Sequence, residues 1–341
     1  MAMDGRSSAA VPKALVSVAS LIVIIAGLKA AVNVVIPLLL AGFIAILFSP
    51  LLTWLGRRGV HRGFALFLII ALVSLAGIGG ITILGTSIPD FAQELPKYDE
   101  KLNEQMGEIV GWFKAHGVDT TGIESFQLFD AGAIMRYTSR ALNSLSGALT
   151  NGFMILMIVI FMLTEAVGFP MKLKAAFGER HQIVTDLNTF LDDVNRYMAI
   201  KAATSLATGV LVTLLLMALH VNYYVLWGVL ASILNFIPNI GSILAAIPPV
   251  LIALIQLGFG SALGTAVGFV VINTLIGNVI EPRVMGKGLG LSTLVVFLSL
   301  IFWGWILGPV GMLLSVPLTI MVKMALDSSE ETRWLAVLLG R

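Results

Sequence analysis

The sequence predicts an all-α polytopic membrane protein of seven to eight hydrophobic helical units, some broken or re-entrant, with one long amphipathic helical insertion. Of its 341 residues, 58% are hydrophobic and only 12% are charged, about half the charged fraction of a soluble domain. The mean hydropathy is +0.97. Charged residues are absent from long runs at 14–28, 30–56, 63–89, 141–164, 202–280 and 288–322. About 20 apolar residues cross a bilayer as a helix, so these runs predict several membrane spans.

The hydrophobic units follow one another with two polar stretches between them. We predict membrane helices within 1–88, a polar helical insertion at 89–140, a membrane helix at 141–164, a cytoplasmic amphipathic helix at 165–201, a membrane transport core at 202–323 and a tail at 324–341. Within the core, helical units are expected near 202–219, 223–257, 261–280 and 289–323. Pro-Asn-Ile-Gly at 238–241 and Gly-Pro at 308–309 interrupt two of these units.

The first polar stretch carries apolar residues at helical spacing. They recur every three or four positions and predict a long amphipathic helix: Phe91, Leu95, Tyr98, Leu102, Met106, Ile109 and Phe113. A similar pattern over 183–197 predicts a second amphipathic helix that leads into the next span. These apolar stripes either pack on neighbouring helices or build a subunit interface or gate.

The basic residues predict the orientation. Arg57, Arg58 and Arg62 place the connection between the second and third helices in the cytoplasm, because basic residues favour that side. The acidic stretch 89–148 suits the periplasm. Both termini are then cytoplasmic if 223–239 and 240–257 cross as a pair. The prolines and glycines are also compatible with a re-entrant 223–257 or 291–322 instead.

Most other classes of function are disfavoured by the sequence. The four histidines are scattered without the spacing of metal ligands, and no nucleophile elbow or phosphate loop is present. Cysteine is absent, which excludes thiolate metal sites. We therefore predict no enzyme, no catalytic or metal site, no cofactor and no nucleic-acid partner.

Polar and helix-breaking residues gather in the last third of the chain. The predicted substrate path comprises Asn235, Pro238, Asn239, Gly241, Ser242, Asn273 and Asn278. The predicted gate or coupling group comprises Glu281, Pro282 and Arg283. Broken helices free backbone groups that bind solute, and ionisable residues beside membrane sequence indicate function.

Plainer interpretations of these residues remain open. The Pro-Asn-Ile-Gly segment is equally compatible with a tight connection between helices. Glu281 and Arg283 are compatible with an interfacial salt bridge at a helix end, and Asn273 and Asn278 with hydrogen bonds between helices.

Several of these segments resemble the autoinducer-2 exporter family of bacterial membrane proteins. The matching segments are Phe-Ile-Pro-Asn-Ile-Gly-Ser at 236–242, Ala-Ala-Ile-Pro-Pro at 245–249, Gly-Asn-Val-Ile-Glu-Pro-Arg-Val-Met-Gly at 277–286, Gly-Leu-Gly-Leu-Ser at 288–292 and Gly-Pro-Val-Gly at 308–311. The resemblance covers essentially the whole chain and is weaker at the N-terminus and in 89–140.

The resemblance implies an inner-membrane transporter that assembles as a homo-oligomer, a pentamer, and exports the quorum-sensing signal autoinducer-2. Other members of the family are associated with sodium or lithium/proton antiport, so H⁺ or Na⁺ is a candidate coupling ion. The leading hypothesis is export of autoinducer-2 or a similar small polar solute. Its alternatives are a sodium(lithium)/proton antiporter, with Glu281 carrying the proton, and a membrane scaffold that does not transport.

Overall fold

The computed structural model describes residues 7–115, 152–166, 182–238, 240–285, 291–327 and 332–340, together with residues 172, 175 and 330. These residues form helices joined by short turns and contain no strand, which confirms the predicted all-α class. The helices are α1 (Ser7–Ala30), α2 (Val32–Arg57), α3 (Arg62–Ala115), α4 (Gly152–Ala166), α5 (Gln182–Ala218), α6 (Tyr224–Leu234), α7 (Ile240–Leu257), α8 (Phe259–Asn273), a π-helical segment (Thr274–Ile280), α9 (Glu281–Met285), α10 (Thr293–Leu313), α11 (Ser315–Asp327) and α12 (Arg333–Leu339).

In this part of the chain, 6 helical segments are long and apolar enough to cross a membrane. They are Val32–Arg57, Arg62–Phe91, Leu191–Ala218, Ile240–Leu257, Phe259–Met285 and Thr293–Leu313. Large apolar side chains stand exposed on these and other helices; Phe153 and Phe259, for example, are 76% and 75% exposed. A soluble protein would present such a surface to water at high cost, whereas lipid solvates it. The fold is that of a polytopic membrane protein.

Both predicted amphipathic segments are continuous with a neighbouring membrane span. The span Arg62–Phe91 continues without a break as α3 to Ala115, because the apolar helical spacing persists beyond Asp90. The amphipathic helix over 183–197 likewise joins the next span in the single helix α5. The insertion beyond Ala115, including 116–140, lies outside the described residues.

The chain divides into two compact units, the first formed by 1–44 and 291–341 and the second by 45–290. In the first unit, the break predicted at Gly308-Pro309 is confirmed, since Gly308 has φ 64° and interrupts α10. The arms on its two sides pack closely: a Cβ on Gly311 would lie 2.0 Å from the Trp303 carbonyl oxygen. The Trp303 indole Nε1 also donates a hydrogen bond of 3.1 Å to Thr319 Oγ1.

The second unit is built around α5, with α6 and α8 running antiparallel to it. Gly209 on α5 faces Gly228 on α6, where an added Cβ would approach the Gly228 carbonyl oxygen to 2.7 Å. Further along α5, Leu215 packs on Gly268 of α8, within 2.3 Å of the position of a Cβ. Helix α3 joins this core through Phe91, whose ring meets the fully buried Trp227 edge to face at 5.2 Å.

Helices α6 and α7 form a hairpin beside α5. α6 has 11 residues, about 16 Å in length, which is roughly half of a hydrocarbon core of about 30 Å. Its tip reaches Ser205, to which Asn235 is hydrogen-bonded, and α7 then returns to the starting end, where Gln256 meets Asn222. This geometry favours the re-entrant arrangement over a pair of full crossings.

Candidate functional site

A buried ion pair joins α5 to the beginning of α9. Lys201 Nζ lies 2.8 Å from Glu281 Oε1 and 3.0 Å from Oε2. The side chains are 6% and 15% exposed. Thr204 Oγ1 adds a contact of 3.4 Å with the same carboxylate. The hypothesised salt bridge of Glu281 with Arg283 is therefore replaced by one with a residue 80 positions earlier in the chain.

The π-helical segment determines the direction in which Glu281 points. The face of α8 and this segment that packs inward contains Ala262, Thr265, Phe269 and Ile276. A straight α-helix turns about 100° per residue and would place Glu281 about 130° from the centre of that face. The wider turns at 274–280 accommodate one additional residue, which brings Glu281 back to roughly 30°.

Hydrogen bonding and proline explain where the wide turns end. The Glu281 N–H bonds to the Ile276 carbonyl five residues earlier, the π-helical pattern. Pro282 has no N–H, so one carbonyl in the preceding turn receives no helical donor and the wide pattern cannot continue. α9 then begins with Glu281 in its first turn.

Polar residues line one face of α5 around the ion pair. We call this set, which recurs at helical spacing and is buried throughout, the α5 polar stripe: Tyr197, Lys201, Thr204, Ser205 and Thr208. Two of its hydroxyls donate to carbonyls of their own helix, from Thr204 to Lys201 O at 3.1 Å and from Thr208 to Thr204 O at 2.9 Å. The stripe is a continuous row of polar groups inside an apolar span.

The tip of the α6–α7 hairpin meets this stripe one turn beyond the ion pair. Asn235, which is buried, donates from Nδ2 to Ser205 Oγ at 3.1 Å. The tip is closed by Gly241, where a Cβ would lie 1.8 Å from the Leu234 carbonyl oxygen, so only glycine fits. Pro238 accepts a hydrogen bond of 2.7 Å from the N–H of Ile240.

The other predicted site residues differ in their exposure. Ser242 is half-buried at the start of α7, and Asn273 is half-buried at the end of α8. Asn278, Pro282 and Arg283 are exposed. Asn239 lies outside the described residues. The structure thus brings Asn235 and Glu281 to one polar stripe but places Asn278 away from it.

The depth of the ion pair limits what it can do. Arg196, the last exposed charge of α5 before the stripe, precedes Lys201 by about 8 Å of helix. Buried charges are retained only when paired, because each would otherwise lose its hydration at a cost of several kcal/mol. Lys201 and Glu281 therefore hold each other inside the span, because removal of either partner would leave the other charge buried alone.

Sequence reasoning missed Lys201 and the rest of the stripe. In the sequence, Lys201 stands directly before the uncharged run 202–280 and looks like its boundary. The available signal was the spacing of polar residues at 197, 201, 204, 205 and 208, which repeats with the helical period inside apolar sequence.

Known proteins place the chain in a family. The profile of the AI-2E family transporter matches residues 18–331. A putative transport protein of Haemophilus influenzae is 42% identical over 334 residues, covering 96% of each chain. The AI-2 transport protein TqsA of Escherichia coli is 38% identical over 328 residues, covering 96% of this chain and 95% of TqsA.

The putative transport protein YhhT of Escherichia coli is also similar, with 38% identity over 326 residues that cover 96% of this chain and 93% of YhhT. The family match spans both compact units and the whole of residues 197–283, within which the ion pair, the stripe and the hairpin lie. The chain therefore belongs to the AI-2E transporter family, a family of membrane transport proteins.

Proposed function

We propose that this protein exports a small polar solute, the signal autoinducer-2, through a path along the α5 polar stripe. The observation that carries the proposal is the buried Lys201–Glu281 pair beside the tip of a broken helix pair. Transport is the activity named for its relatives, and TqsA is named for AI-2. A hydroxyl-rich solute suits neutral hydroxyl and amide partners, which exchange hydrogen bonds with it at little net cost.

The path runs between the stripe and the hairpin tip. Ser205 and Asn235 satisfy each other when the path is empty, and each can instead bond a solute hydroxyl. The Lys201–Glu281 pair closes the end of the path next to Arg196. Separation of the tip from α5 opens it, and the pair re-forms after the solute has passed.

The test is efflux of labelled autoinducer-2 from vesicles that contain the purified protein, with sodium and proton gradients varied. Asn235→Ala and Ser205→Ala remove one partner each, and we expect each to reduce flux about tenfold or more, the effect of one lost hydrogen bond of about 1.4 kcal/mol. Leu214→Ala is the matched control, because Leu214 lies at an exposed position of α5, the helix that carries Ser205. Normal export by both polar variants would reject the path.

The ion pair also supports a second candidate, exchange of a monovalent cation for a proton. Protonation of Glu281 neutralises its carboxylate and frees Lys201, which couples the proton to an opening of the pair. In vesicles with an internal pH dye, Glu281→Gln should then abolish proton flux driven by sodium or lithium. Unchanged flux would reject this role for Glu281.

We further propose a homopentamer in the bacterial inner membrane with both termini in the cytoplasm. The assembly rests on the family resemblance, and the orientation rests on the basic residues near 57–62. Mass measurement of the detergent-solubilised protein tests the number of subunits. Labelling of cysteines introduced near each terminus of this cysteine-free chain tests the orientation.

A further inference from the structure

We propose that a polar cavity beside the turn between α5 and α6 binds a small anion that also carries hydroxyl groups. We call the cavity the second station, meaning a second binding site for the transported solute, at the end of α5 remote from Lys201. This role rests on the proposed transport function. The binding itself requires no transport and can be measured separately.

The cavity lies where two membrane spans and the second arm of the α6–α7 hairpin end. The spans are Arg62–Phe91 and Leu191–Ala218, and the hairpin arm is Ile240–Leu257. Its volume is about 320 Å³, at the lower end of the range for small-molecule sites. A ligand here must therefore be small, and it reaches the cavity from water without crossing lipid.

The turn that forms one wall is held in a strained conformation. Two residues other than glycine have positive φ, His220 at 56° and Tyr223 at 60°. Such backbone is uncommon, and an outlier for a residue as bulky as tyrosine. It persists only where surrounding contacts impose it, and it concentrates at functional sites.

Those contacts come from both sides of the cavity. Tyr223 donates its hydroxyl to Glu94 Oε2 on α3 at 2.8 Å. The Asn222 N–H donates to Gln256 Oε1 on α7 at 3.2 Å, and the Asn222 carbonyl accepts from Trp227 Nε1 at 3.1 Å. The turn is thereby fixed to two neighbouring helices, and the cavity is preformed.

The lining determines the class of ligand. Lys97 and Lys101 stand one turn apart on α3 and both face the cavity. Two ammonium groups at this spacing attract a phosphate or carboxylate, to which lysine binds as a point charge. Among the described residues of the lining, Glu94 is the one acid; it accepts the Tyr223 hydroxyl and is outnumbered by the two lysines. His220, Asn222 and Gln256 also line the cavity and offer donors and acceptors for hydroxyl groups.

The test measures direct binding to the full chain in detergent by calorimetry. The probes are D-ribose 5-phosphate, inorganic phosphate and D-ribose. We expect ribose 5-phosphate to bind more tightly than either of the others, because it alone carries both features. In the double variant Lys97→Gln/Lys101→Gln, its affinity should fall about tenfold or more, as expected when charged hydrogen-bond donors are lost.

The control is Lys172→Gln, which removes an exposed lysine that does not line the cavity. Its binding should match that of the unmodified protein. Equal affinity for ribose and its phosphate, or undiminished binding by the double variant, would overturn the anion site. Because both cavity lysines are exposed, these variants should fold normally, and an unchanged thermal unfolding midpoint verifies it.

Two further measurements separate the source of the anion and its role. Vesicles of phosphatidylglycerol compared with phosphatidylcholine test a lipid headgroup: binding confined to the anionic lipid would retain the site and refute its role in transport. Efflux by the double variant tests that role directly. If the double variant loses binding but exports normally, the role as second station is refuted and the transport proposal stands. If the unmodified protein binds the ligand but shows no efflux, the transport proposal and the role as second station are refuted, and the binding site stands.

Discussion

Loss of one partner of the Lys201–Glu281 pair should destabilise the protein more than loss of both. At the observed separation of 2.8 Å, the attraction is about 6 kcal/mol with an effective dielectric constant of about 20. Dehydration of the two charges offsets most of it. Glu281→Gln leaves a lysine whose side chain is 6% exposed without its counter-charge, and we expect a cost of about 3–5 kcal/mol in the free energy of unfolding.

The assay is a double-mutant cycle with Lys201→Met, Glu281→Gln and the double variant, unfolded by SDS in mixed micelles. The double variant should lie near the unmodified protein, since replacement of a whole buried pair is often neutral. The exposed pair Lys172–Glu165, with side chains 68% and 60% exposed, is the control, and its coupling should stay below about 1 kcal/mol. If the free-energy costs of the two single variants sum to the cost of the double variant within about 0.5 kcal/mol, the reasoning about the buried pair is refuted.

Three further variants test the backbone and the first unit. Gly241→Ala should lower the free energy of unfolding by about 2 kcal/mol or more and reduce solute flux, because the added Cβ would lie 1.8 Å from a carbonyl oxygen. Gly264→Ala is the control and should be tolerated, since the atom nearest to its added Cβ is 3.8 Å away. Equal effects of the two variants would contradict the close approach at Gly241. Deletion of Leu275 should preserve the coupling between Glu281 and Lys201 in the double-mutant cycle, because the π-helical turns hold one extra residue. Deletion of two residues there should abolish this coupling. If the single deletion abolishes the coupling and the double deletion preserves it, the π-helical segment does not set the direction of Glu281. Trp303→Phe should lower the unfolding free energy by about 1 kcal/mol through its lost hydrogen bond, measured by the same SDS titration, and an unchanged value would show that the bond contributes nothing.

The helices were largely predictable, because apolar runs without charge have few other outcomes. The breaks at Pro238 and at Gly308 were also predictable, since proline removes a donor and glycine permits positive φ. The partner of Glu281 was not. A contact between residues 80 positions apart depends on how α5 and α8 pack and on the phase of the π-helical segment, and no local pattern encodes either.

The charge pattern could not distinguish a hairpin from two crossings at α6–α7. Both arrangements return the chain to the side that it left, so the basic residues that follow fall on the same side in each case. Only helix length and the Asn235–Ser205 contact separate them. The cavity beside the turn was equally hidden, since it is formed by residues that lie up to 163 positions apart, from Glu94 to Leu257.

The π-helical segment makes one stretch of this chain tolerant to a change in length. Elsewhere in a membrane helix, one inserted or deleted residue turns every later side chain by about 100°. Between Thr274 and Ile280, the loss of one residue would narrow the wide π-helical turns to α-helical turns and leave the later side chains at the same angle. A variant of this chain that lacks one residue at this place should therefore keep Glu281 opposite Lys201. The angle at which a side chain leaves the helix beyond this segment depends on the width of the turns as well as on the number of residues.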